Sequence, residues 1–117
     1  MPGILIVDDH PAFRASARAL LEHRGYRVLG EAGDGPSAVD AVARLVPDGV
    51  LLDLRLGRDD GFAVCSTLLR ERPALDVLLV SCDEPGEAGD RARAAGARGF
   101  VRKQDLLRTD LTAYWPR

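Results

Sequence analysis

Five short apolar runs recur along the chain, each followed by polar residues and then by a segment of helical spacing. The first, Gly3 to Val7, is rich in β-branched side chains and reads as a strand buried on both faces. It stops at Asp8-Asp9, and Pro11 then suits a first helical turn, where its missing N–H is no loss. Phe13, Ala17, Leu20 and Leu21 share one face of the helix this predicts, and Gly25 ends it. Arg27 to Glu31 predicts a second strand. Gly35-Pro36 opens a second helix with Val39, Val42 and Val46 on its inner face, stopped by Pro47. Val50-Leu51-Leu52 forms the third strand, which ends abruptly in Asp53, and Gly57 and Asp60-Gly61 mark a loop beyond it. A helix from about Phe62 to Glu71 carries Cys65, Leu68 and Leu69 ahead of Pro73. The fourth strand, Asp76 to Val80, ends in Ser81-Cys82-Asp83. Glu84 to Ala95 predicts a weak helix, because Gly86 and Gly89 each cost ~1 kcal/mol against Ala in a helix interior. Gly99 to Arg102 is the fifth strand and ends at Lys103, and a short terminal helix sets Leu107, Leu111 and Tyr114 on one side.

Strands that alternate with helices need crossover connections, so the pattern predicts an α/β fold with a parallel sheet. The right-handed crossover rule makes that sheet doubly wound. In such a sheet all strands end on one rim, where ligands and chemistry sit. That rim would gather Asp8 and Asp9 from the first strand, Asp53 from the third, Ser81 from the fourth and Lys103 from the fifth. An acid at the end of a buried strand costs desolvation energy unless a cation or hydrogen bonds compensate it.

Composition narrows the picture without redirecting it. A chain of 117 residues with no internal repeat, low-complexity tract or linker predicts a single domain over 1–117. With 46% apolar and 29% charged residues it has the make-up of a folded domain. A net charge of −2 gives no global attraction to nucleic acid or anionic lipid. No apolar run approaches the ~20 residues of a membrane span, and no signal peptide precedes the first strand, which points to the cytoplasm. Cys65 and Cys82 have neither metal-site spacing nor a disulfide framework and read as two buried thiols.

Three carboxylates within a few ångströms raise one another's pKa values unless a cation lies between them. Hard oxygen donors point to Mg²⁺, which keeps several waters and needs few protein ligands. A carboxylate beside such an ion can attack phosphorus and carry a phosphoryl group as an acyl phosphate. Lys103 and Ser81 are the ammonium and hydroxyl that would stabilise the transferring group. Each residue also has a plainer reading: Asp8-Asp9 as a helix cap, Asp53 as a turn residue, Ser81 as a strand-end hydroxyl, Lys103 as a solvated charge. Their coincidence at four strand ends favours a site.

Ile4-Leu-Ile-Val-Asp8-Asp9-His10-Pro11, Val50-Leu-Leu-Asp53-Leu-Arg55 and Gly30-Glu-Ala-Gly-Asp-Gly35 carry a resemblance to the receiver domain of two-component response regulators. They are most similar to the NarL/FixJ subfamily with a LuxR-type helix-turn-helix output. The resemblance implies a flavodoxin-like sheet of order 2-1-3-4-5. It implies Asp53 as phospho-acceptor, with Asp9 binding Mg²⁺ directly, Asp8 through water, and Asp53 and the Arg55 backbone carbonyl completing the protein ligands. Lys103 would contact the phosphoryl oxygens, Ser81 would turn toward them, and Phe100 would follow between exposed and buried rotamers. The implied partners are a sensor histidine kinase and, on activation, a second copy of the chain. Nucleic acid would be read by an output domain that this chain does not contain.

Two departures from the family pattern stand out. Leu56-Gly57 replaces the usual Met-Pro, an exchange expected to loosen the loop because Gly costs more backbone entropy to order. Gln104 replaces the proline, often cis-bonded, that usually follows the lysine. A cis bond there would cost ~3–4 kcal/mol, so the loop either keeps that strain or takes another route. These departures sustain an alternative, a receiver-like interaction domain that is not phosphorylated. A metal-dependent phosphatase has less support, since Arg55 stands where a second acid would help. Arg55 and Asp83 are also expected to pair across the site mouth and hinder an attacking water.

Overall fold

The computed structural model describes residues 1–82 and 88–116. The apolar runs become strands β1 (Gly3–Val7), β2 (Arg27–Ala32), β3 (Gly49–Asp53), β6 (Asp76–Ser81) and β7 (Gly99–Arg102). They form one sheet of order β2-β1-β3-β6-β7, with every pair parallel. This is the doubly wound, flavodoxin-like arrangement the sequence predicts. Between the strands lie α1 (Pro11–His23), α2 (Gly35–Leu45), α3 (Gly61–Glu71) and α4 (Ala88–Ala94). The expected helix over Glu84 to Ala95 is therefore seen from Ala88 onward, and residues 84–87 lie outside the described residues.

Successive residues of a strand face opposite sides, so the central strands divide the core in two. Leu5, Val7, Val50, Leu52, Val77 and Leu79 face α2, α3 and α4. Ile4, Ile6, Leu51, Leu78 and Val80 face α1 and the C-terminal segment. Full burial of β1 and β3 explains why they read as unbroken apolar runs rather than alternating ones.

The helix ends follow local chemistry. Asp34 caps α2 by accepting from the Ser37 N–H at 2.8 Å, and Asp60 caps α3 by accepting from Phe62 N–H at 2.9 Å. Val46, expected on the inner face of α2, is instead its C-cap at φ 51° and is 54% exposed. The following Pro47 disfavours the α conformation at Val46, so the period is cut one residue early.

The end of the chain differs most from expectation. Lys103–Arg108 and Leu111–Ala113 are 3-10 turns rather than one α-helix. The first turn buries Leu106 and leaves Leu107 70% exposed, and Leu111, also buried, opens the second. Trp115, unassigned by helical spacing, is the largest buried side chain of this segment. Its Nε1 donates to Asp76 O at 2.9 Å, and the Tyr26 hydroxyl donates to Trp115 O at 2.7 Å. A Cβ on Gly49 would meet the Trp115 indole at 2.5 Å, so the bare backbone there makes room for the ring. Cys65 is buried as expected, but Cys82 is exposed, because it lies just past the end of β6.

Candidate functional site

The rim at the C-terminal ends of β1, β3, β6 and β7 brings the predicted residues together. Asp8 follows β1 and is fully buried; its N–H donates to Ala32 O at 3.0 Å, extending the β1–β2 ladder by one bond. Asp8 Oδ1 accepts from the His10 N–H at 2.8 Å, so this acid also holds the start of α1. Asp53 is the last residue of β3 and 3% exposed. Its Oδ1 accepts from the Arg55 N–H at 3.2 Å and its Oδ2 from Lys103 Nζ at 3.4 Å. Lys103 reaches in from the end of β7 and sets Nζ 2.6 Å from Asp8 Oδ2. The same ammonium sits 4.2 Å from the centre of the Phe13 ring, a cation–π contact that roofs the ion pair.

Burial and charge pull these groups in opposite directions. Desolvation pushes the Asp53 carboxyl up to about 6, the Asp8 carboxylate adds to the rise, and the Lys103 ammonium only partly offsets both. Burial alone would depress the Lys103 ammonium, but the carboxylates of Asp8 and Asp53 outweigh it and hold that ammonium above its ordinary value. One cation therefore serves two buried acids.

Asp9 is half-buried, and its Oδ1 is enclosed without a hydrogen-bond partner among the described residues. Donor atoms of Asp8, Asp9, His10 and Asp53 lie within 4.8 Å of one another. An enclosed, unpartnered carboxylate oxygen in a set of hard oxygen donors suits a divalent cation, so the residues fit Mg²⁺. His10 belongs to this set although sequence reasoning gave it no role. The signal was its place immediately after the acid pair.

Ser81 is buried at the end of β6 and in register with Arg102. Leu54 N–H donates to Val80 O at 2.8 Å, which ties the chain just past Asp53 to the residue before Ser81. Phe100 lies on β7 opposite Leu79, half-buried against the core on the α3–α4 side. Arg55 is exposed at the site's edge. Its expected partner Asp83 lies outside the described residues.

The loop after Asp53 closes into a hairpin. Arg55–Leu56 (β4) and Asp59–Asp60 (β5) form a small antiparallel ribbon turned by Gly57 and Arg58. Gly57 has φ +59°, the sign that mirror-image hairpin turns require and that proline cannot adopt. Leu56 is buried beneath the ribbon, and Asp59 Oδ2 accepts from the Gly35 N–H at 2.8 Å, anchoring it to α2. At the other departure the backbone takes a new route. The Lys103–Gln104 bond is trans and Lys103 opens a 3-10 turn. The ammonium still reaches both acids.

Comparison with known proteins agrees with this geometry. The family model described as the response regulator receiver domain matches residues 4–112. The chain is 33% identical over 109 residues to the DNA-binding transcriptional activator EvgA of Escherichia coli K12, which covers 93% of this chain and 53% of EvgA. The chain thus spans about half the length of the curated relatives it matches. Among solved structures, a LuxR-family two-component response regulator from Aurantimonas sp. SI85-9A1 superimposes with a TM-score of 0.87 at 31% identity, covering 92% of this chain and 78% of that one. The signal receiver domain of NarL from Mycobacterium tuberculosis gives 0.83 at 30% identity, covering 99% and 98%. None of the described helices is long and apolar enough to cross a membrane.

Proposed function

We propose, from the premise that this chain belongs to the response regulator receiver domain family, that Asp53 is its phospho-acceptor and a histidine kinase its donor. The observation that carries this is the placement of Lys103 Nζ, 2.6 Å from Asp8 and 3.4 Å from Asp53. An Asp53 carboxylate oxygen attacks the donor's phosphorus, forming an O–P bond as the donor's N–P bond breaks and its imidazole leaves. Lys103 is placed to meet the charge that develops on the phosphoryl oxygens. Asp8, Asp9, Asp53 and the Arg55 carbonyl are the groups that would hold Mg²⁺, and the ion would neutralise charge on the transferring group. Ser81 and Phe100 are the residues on β6 and β7 through which the phosphoryl group would be sensed.

The relatives are transcriptional regulators about twice as long as this chain, so we assign the switch a role in transcription through an output module. Incubation with a small phosphodonor and Mg²⁺, read by intact mass, tests the assignment. The wild type gains one phosphoryl mass and Asp53→Asn gains none. A wild type that takes up no phosphoryl group returns the chain to the interaction-domain reading.

A further inference from the structure

We infer that His10 supplies an imidazole donor to the acid pocket and so adds to its affinity for borderline divalent ions such as Ni²⁺ a part that Mg²⁺ does not share. The inference rests on reading the pocket as a metal site and goes beyond it by naming a fourth side-chain donor and the class of ion that donor selects.

His10 Nδ1 lies 3.0 Å from Asp9 Oδ1 and 3.2 Å from Asp8 Oδ1. Two neighbouring donors each ~2.1 Å from one octahedral ion stand ~3.0 Å apart, so these separations already match edges of a coordination polyhedron. Asp9 Oδ1 is enclosed, and His10 Nδ1 is the ring nitrogen that approaches it. His10 Nδ1 is within hydrogen-bond distance of Asp8 Oδ1 at 3.2 Å and donates to it when it carries the ring proton; with that proton on Nε2 the Nδ1 lone pair is open to an ion seated between the ring and the acids. The ring's position is set from the backbone, because the His10 N–H is held by Asp8 and Pro11 begins α1 directly after it. The ring itself is 69% exposed, so an ion can reach Nδ1 from solvent without opening the fold. Gly57 adds room on the same side, since even a Cβ there would remain 3.7 Å from Asp9 Oδ2.

The chemistry of the set then decides among ions. Carboxylate, carbonyl and water donors suit Mg²⁺, whereas imidazole suits Ni²⁺, Zn²⁺ and Cu²⁺. An all-oxygen pocket would favour nickel over magnesium by the general affinity order alone. A nitrogen donor adds a part of that preference which disappears with the imidazole.

Calorimetric titration with Ni²⁺ and with Mg²⁺ tests this in wild type, His10→Ala, His10→Asn and Asp53→Asn. His10→Asn keeps a hydrogen-bond donor near the Nδ1 position and removes the imidazole. We expect both His10 variants to lose ~10-fold or more in Ni²⁺ affinity and to hold Mg²⁺ affinity within ~2-fold. Proton NMR gives a second readout. The chain has two histidines, and Ni²⁺ should shift the ring signals of His10 paramagnetically while leaving those of His23, in the last turn of α1, near their diamagnetic positions. Unchanged Ni²⁺ affinity in the His10 variants overturns the inference. So does an equal loss for both ions in His10→Asn, which would make His10 a positioning residue. If the wild type binds Mg²⁺ in a manner dependent on Asp53 but shows no His10 effect on Ni²⁺, only this inference fails. If it binds neither ion, the reading of the pocket fails with it.

Discussion

Replacing Asp53 with Asn should make the protein more stable at neutral pH, although it deletes a buried hydrogen-bonded charge. The two side chains are nearly equal in volume, so packing is preserved and the electrostatic consequence is isolated. Burial and the neighbouring Asp8 raise the Asp53 carboxyl from 3.8 to about 6 in spite of Lys103. At ~1.4 kcal/mol per pH unit, keeping that group ionised in the folded state costs about 3 kcal/mol. The sign follows from which state holds the proton more tightly. The folded protein does, so the contribution of Asp53 is fully present below about pH 4, falls as pH rises toward about 6, and is flat above that. Asn carries no such penalty. The variant should therefore gain 1–3 kcal/mol at about pH 7, which for a domain of this size raises the midpoint by roughly 5–10 °C. Glu31, held low by Arg18 and Arg14 despite partial burial, contributes the opposite slope on acidification. The informative quantity is thus the difference between the two proteins in urea unfolding from about pH 4 to pH 7, with chelator present to exclude metal binding. An Asn variant less stable than wild type at about pH 7 would refute the reasoning. So would a difference curve that is level through the window.

Three further outcomes follow from the same contacts. Lys103→Met leaves Asp8 and Asp53 facing each other without their cation, so it should cost about 3–5 kcal/mol near neutrality and less near pH 5, where proton uptake by Asp53 relieves the repulsion; a loss independent of pH would contradict the pairing. Gly57→Ala should cost about 1 kcal/mol in urea unfolding through the strained positive φ, and Gly57→Pro more, since its ring fixes φ at the opposite sign. Trp115→Ala should cost about 3–5 kcal/mol by opening a cavity beside Tyr26, whose ring centre lies 5.7 Å away, and a loss below about 1 kcal/mol would show that the C-terminal segment is not part of the core.

The sheet and most of the pocket were legible because buried parallel strands leave a direct trace. Gly3–Val7 and Gly49–Asp53 have no solvent face, so they appear as apolar runs, and the acids that end them mark the rim. Where the chain left helical or strand periodicity, the trace faded. A 3.6-residue period pairs Leu107 with Leu111, but 3-10 turns place Leu106 inward instead. Trp115 was invisible to periodicity because a carbonyl of β6 and the Tyr26 ring fix it from distant parts of the chain. At the ribbon after Asp53 the sequence shows a glycine but not its backbone angle, and only that angle distinguishes a glycine that relaxes a turn from one that closes it. His10 leaves no such trace, because an exposed histidine acquires a role only where the acids beside it point the same way.

The pocket is held together by an arrangement that is poor for stability. Two buried carboxylates share one ammonium, and a third acid has an enclosed oxygen approached by the exposed His10 ring at 3.0 Å. A protein selected only to fold would gain by replacing one of these acids, since an apolar or amide group of similar size brings no net charge to desolvate. The surrounding core, with β1 and β3 completely enclosed, supplies the stability that lets the cost persist. The same imbalance makes the pocket responsive, because any event that adds positive charge or redistributes negative charge at Asp53 acts in a site where water screens little. The hydrogen bond from Leu54 to Val80 links that site to β6 one residue before Ser81, and β6 in turn pairs with the strand that carries Phe100.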